Sequence, residues 1–82
     1  MTPEEYAKMH QTSFRKAFDF LNSHFPPGDT LDWWKQAGED IVKVSTECGE
    51  NKLLTGLLVG VFDYLELEWK RRRIANETGT EN

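Results

Sequence analysis

The chain has one cysteine, Cys48, so it cannot close a disulfide on itself. Its three prolines are Pro3 and the adjacent Pro26-Pro27, which leaves two long stretches free of the strongest helix breaker. No apolar run is long enough for a membrane span. The longest, LLTGLLVGVFDYLEL over 53–67, contains Asp63 and Glu66, whereas a spanning helix takes about 20 mostly apolar residues. Excess positive charge is missing too. The net charge is −4, and its acidic surplus lies in residues 29–50, where six acids face only Lys35 and Lys43. That is the wrong sign for a general nucleic-acid binder and too mild for a nucleic-acid mimic.

Chemistry-bearing motifs are equally scarce. The chain has no phosphate-cradling loop, no dinucleotide fingerprint and no H-E-x-x-H zinc motif. His10 and His24 are the only histidines. On one helix they stand about 21 Å apart, too far to share a metal ion. A partly buried, hydrogen-bonded histidine fits them better than a ligand. Cys48 fits a small core residue, and no third group supports a Cys–His catalytic pair. Neither enzyme activity, a cofactor, a metal nor a small-molecule substrate is expected. The opening MTPEEYAKMH lacks the basic and apolar segments of a signal peptide, and a lone thiol suits a reducing compartment, so a cytoplasmic location is expected.

What remains is helix. Thr2, Pro3 and Glu5 form a capping box with proline at the first helical position, and FPPGD at 25–29 closes the segment. Asp29 or Thr30 opens a second, which Gly49 ends as a left-handed cap. Asn51 is a good N-cap for a third. The expectation is an all-α fold, a small three-helix bundle over about 3–24, 30–48 and 51–75. It makes one domain, 1–75, followed by a disordered tail, 76–82.

Turning each segment by about 100° per residue gives the faces. The first helix offers Phe14, Ala17, Phe18, Leu21 and Phe25, with Tyr6 at the edge. The second offers Leu31, Trp34, Ile41, Val42 and Cys48, interrupted by Gly38 and Ser45. The third offers Leu54, Leu57, Leu58, Val61, Leu65 and Trp69. Leu53, Gly60, Tyr64, Leu67 and Phe62 widen its apolar arc to roughly 220°, against the usual stripe of about 100°. A helix so apolar must be covered from two directions. It is therefore the central one, covered either by both other helices or partly by a second copy or another protein. The Gly56-x-x-x-Gly60 spacing lets a neighbour approach that side.

Met9 and Phe20 lie off the first stripe, and one core does not easily take both Trp33 and its neighbour Trp34, which point about 100° apart on a helix. With Leu53, Tyr64 and Leu67 they are the candidates for a protein interface. The basic run Lys70, Arg71, Arg72 and Arg73 is a candidate for phosphate or an acidic partner. Glu66 before Lys70 and Glu68 before Arg72 offer a local explanation of that run.

The order FLNSHFPP, a Trp-Trp pair and NKLLTGLLVGVFDYLELEWKRR resembles small uncharacterised open reading frames of prophages and integrated conjugative elements in Gram-positive gut bacteria. The resemblance spans most of residues 1–73 and implies no activity. It implies a mobile-element accessory or inhibitor protein that binds another protein or a nucleoprotein. The expected function is therefore a non-enzymatic protein–protein interaction module, with a homodimer as one form. The alternative is a nucleic-acid-associated accessory protein acting through the basic end of the third helix.

Overall fold

A computed structural model of the chain contains three helices, α1 (Pro3–His24), α2 (Leu31–Glu47) and α3 (Lys52–Glu81). Side chains are described for residues 1–49 and 51–74, and the expected disordered tail over 76–82 lies outside these. Every helix start is held by the side chain that suits it. Thr2 Oγ1 accepts from the Glu5 backbone N–H at 3.1 Å while Glu5 Oε1 accepts from that of Thr2 at 3.4 Å. Thr30 Oγ1 accepts from Trp33 at 3.1 Å, and Asn51 Oδ1 from Leu54 at 3.0 Å. Gly49 takes φ +69° after α2, a conformation that a Cβ would disfavour.

α3 is the central helix: α1 and α2 each pack on it, and touch one another only slightly. The chain runs up, down and up. Ser13, midway along α1, meets Asn51 at the start of α3, and Phe25, just past the end of α1, meets Tyr64 farther along α3, so those two helices are parallel.

The core is small. Ala17, Phe20, Leu54, Leu58 and Leu65 form the buried cluster, and Leu21, Trp33, Trp34, Ile41, Val44, Cys48, Leu57 and Val61 pack half-buried around it. The α3 face is the expected one. Those of α1 and α2 are rotated from expectation. On α1 the buried row is Ser13, Ala17 and Phe20, while Phe14 and Phe18 are 58% and 61% exposed. On α2 the inward residues are Trp34, Ala37, Ile41 and Val44, while Leu31 and Val42 are 84% and 64% exposed.

One physical cause serves both rotations. The Phe20 ring stacks on His24 with centroids 3.9 Å apart, and His24 Nε2 meets Asp40 Oδ2 of α2 at 2.9 Å. Bringing that pair together turns Phe20 inward on α1 and Asp40 toward α1. The outer phenylalanines are left facing away. Ser13 can occupy the core because its hydroxyl is fully used. It donates to the Met9 carbonyl at 2.7 Å and accepts from Asn51 Nδ2 at 2.8 Å, so its burial leaves no unmet hydrogen bond.

The α1–α2 loop is tied down by indoles. Trp34 Nε1 donates to the Gly28 carbonyl at 3.1 Å and Trp69 Nε1 to Asp29 Oδ1 at 2.7 Å. At residue 28 only glycine fits, because a Cβ there would lie 2.5 Å from Trp33 Cγ. No helix among the described residues is long and apolar enough to cross a membrane.

Candidate functional site

The side of α1 and α3 that faces away from α2 has no cover among the described residues. Phe14 and Phe18 on α1, four residues apart, and Phe25, the residue that caps the end of α1, form a single ridge at about 100° per residue. All three are exposed. Alongside runs an edge of α3 made of Leu53, Gly60, Tyr64 and Leu67, while Gly56 lies nearer the end of α2, in an open recess shared with Ser45, Thr46 and Thr55. Tyr64 and Leu67 are exposed and Leu53 is half-buried. The near-parallel stack of Phe25 on Tyr64, centroids 6.3 Å apart, holds ridge and edge side by side.

Gly60 gives this face its relief. A Cβ built on Gly56 or Gly60 meets nothing within 4 Å, so the expected close neighbour on that side does not come from this chain's described residues. Each glycine costs up to about 1 kcal/mol of helix stability relative to alanine. The face therefore carries a phenylalanine ridge and, beside it, a shallow gap at Gly60.

The interface candidates divide. Leu53, Tyr64 and Leu67 gather on the uncovered face. Met9 is half-buried near the start of α3, with Ser13, Asn51 and Leu54 around it. Trp33 is half-buried, edge-on to Trp34 at 4.7 Å and to His24 at 6.1 Å. Phe20 is a correction. It is only 4% exposed and belongs to the core, because its stack on His24 draws it inward. Phe14 and Phe18 are the surface residues that sequence reasoning had assigned to the core instead. The available signal was the small row Ser13–Ala17, whose polar member conceals a packing face from a search for apolar residues.

The basic run is spread around α3. Arg71 pairs with Glu68 at 3.1 Å, Arg72 stands 5.0 Å over the Phe25 ring and Arg73 5.4 Å over that of Trp69. The expected pairs Glu66–Lys70 and Glu68–Arg72 do not form among the described residues. Two of the guanidiniums lie instead on aromatic faces, whose negative quadrupole attracts a cation.

His24 is the partly buried histidine expected, and its partner Asp40 was not foreseen. Nδ1 donates to the Phe20 carbonyl at 2.8 Å and Nε2 meets Asp40. Both ring nitrogens are thus engaged, and neither is left to activate a nucleophile. Hydrogen bonds from His24 and Gln36 hold the Asp40 carboxyl below the ordinary carboxylate range. His10 is exposed beside Tyr6, and Cys48 is half-buried against the core.

No protein-family model matches the chain, and no match was found among curated proteins or solved structures.

Proposed function

We propose that this protein is a non-enzymatic interaction module that associates with a second copy of itself through the uncovered α1–α3 face. The observation that carries the reading is the pairing of ridge and gap on one surface. Phe14 and Phe18 project from it, while Gly60, beside exposed Tyr64 and Leu67, leaves open space. A two-fold axis would seat each copy's rings over the other's Gly60 edge, as an isologous interface requires. Burying each ring contributes about 1.5–3 kcal/mol. An interface of ordinary size takes about 800 Å² from each partner. A mobile-element accessory or inhibitor protein would be a module of this kind.

The alternative, phosphate contact through Lys70 to Arg73, is less well supported, since Arg71, Arg72 and Arg73 already engage a carboxylate or an aromatic ring. Sedimentation velocity across a concentration series tests the main reading. The wild type should pass from monomer to a discrete dimer, and Phe18→Glu should remain monomeric with unchanged helix content. A wild type that stays monomeric throughout would overturn it.

A further inference from the structure

On the opposite flank of α3, toward α2, lies an open recess of about 350 Å³ lined by Asp29, Leu31, Trp34, Phe62, Glu66, Trp69 and Lys70. Three aromatic rings form its walls, with Phe62 and Trp69 each nearly at right angles to Trp34. Phe62 meets Trp34 at 5.4 Å and 81°, and Trp69 meets Trp34 at 6.2 Å and 75°. The walls are fixed in place, since each indole N–H is bound to the α1–α2 loop, Trp34 to Gly28 and Trp69 to Asp29. Their remaining ring surface cannot swing away from the recess without breaking those bonds.

Two carboxylates border the rings. Asp29 uses one oxygen on Trp69. Glu66 is half-buried and has no hydrogen bond or ion pair among the described residues. With no partner among the described residues, its negative charge is left to attract a cation at the rim. The rings favour the same charge, because aromatic faces attract cations. Trp69 already accepts the guanidinium of Arg73 at 5.4 Å from its centroid.

We infer that this recess binds a methylated ammonium group. A bare ammonium needs three hydrogen-bond acceptors and is strongly hydrated, whereas these walls are mostly ring carbon. A quaternary ammonium spreads its charge over methyl groups and donates no hydrogen bonds, which suits three aromatic walls with acids at the rim. Lys70, also at the rim, opposes such a ligand. This site is independent of the proposed self-association, which uses the other flank of α3.

The test is a titration of the full chain with choline, with trimethyllysine, and with 3,3-dimethylbutan-1-ol, the uncharged isostere of choline. Binding is followed by the indole N–H resonances of the three tryptophans. Both ammonium compounds should bind saturably, shifting Trp34 and Trp69 more than Trp33, and the alcohol at least about tenfold more weakly. Tighter binding of trimethyllysine than of choline would assign the group to a modified side chain, and the reverse to a small molecule or head group. Glu66→Gln, nearly isosteric with the native side chain, should weaken choline about two- to fivefold, and Lys70→Ala should strengthen it. Equal affinity for choline and the alcohol would overturn the inference. So would the absence of saturable binding in a chain whose helix content is intact.

Discussion

The two flanks of α3 are closed by different physics. Toward α2, directional bonds hold the structure: two indoles tied to the loop, and His24 joined to Asp40. Toward the open side, α1 is held to α3 by apolar contact and by one polar link from mid-α1 to the start of α3, Ser13 to Asn51. Hydrogen bonds specify one geometry, while apolar contact only asks for area. On the bonded flank the rings of Trp34 and Trp69 are held in place by their hydrogen bonds. The other flank still exposes the rings that apolar burial would use.

The largest effect comes from breaking what both flanks share. Leu58 is fully buried at the centre of the cluster, and truncating a buried leucine costs about 2–5 kcal/mol. A chain of this size has about 4–12 kcal/mol in all. Leu58→Ala should therefore show a large drop in its chemical-denaturation midpoint and lose both flanks in one transition.

Next in size is the polar link on the open side. Asn51 caps α3 and bonds the buried Ser13 hydroxyl. Loss of an N-cap alone costs about 0.5–2 kcal/mol. Asn51→Ala should cost more than Thr30→Ala, which removes a cap but no cross-helix bond. Equal losses, measured by urea unfolding, would show that the Ser13 link contributes nothing.

On the bonded flank the matching variant is Asp40→Asn, with an expected loss of about 1 kcal/mol for its bond to His24. The pH dependence has a definite sign. Because Asp40 is held below its ordinary value of 3.8, its contribution is fully present above about pH 4 and is lost as the pH falls through the lower folded value. Acid titration of stability should therefore show a shallower fall below pH 4 in Asp40→Asn than in the wild type. Parallel curves would remove the carboxylate from the account.

These same contrasts explain what could be read from the amino-acid order. Helix boundaries were legible because Thr2, Thr30, Gly49 and Asn51 act on their own neighbours, so their roles need no knowledge of the fold. The α3 face was legible because its apolar residues are dense enough to have only one reading. The orientation of α1 was not. Phe14–Phe18 and Ala17–Phe20 are both plausible stripes, and the choice is made by a stack on His24 and a bond to Asp40 across sixteen positions of the chain. Leu31 and Val42 were misplaced for the same reason, since Asp40 must turn toward α1. The recess escaped notice because it joins Asp29, Trp34, Phe62 and Trp69 from a loop and two helices. The basic run was misread in its partners, because phenylalanine and tryptophan rings are not found by counting charges.

The smallest change in stability asks the sharpest question of the open side. Gly60 is exposed in mid-helix, and a Cβ there meets nothing within 4 Å. Within one chain, Gly60→Ala gains helix propensity and loses no contact, so it should stabilise the dilute protein by about 0.5–1 kcal/mol. Between two copies the same methyl group fills the gap in which a partner's phenylalanine would sit, so self-association should weaken. The two readouts move in opposite directions, which no general loss of folding can imitate. Gly38→Ala on α2 serves as the control, because its Cβ also enters open space. It should raise stability and leave association unchanged. If Gly60→Ala behaves as Gly38→Ala does, stabilising the chain at every concentration with no effect on sedimentation, the glycine edge is not where two copies meet, and the ridge of Phe14 and Phe18 loses the complement that made it self-recognising.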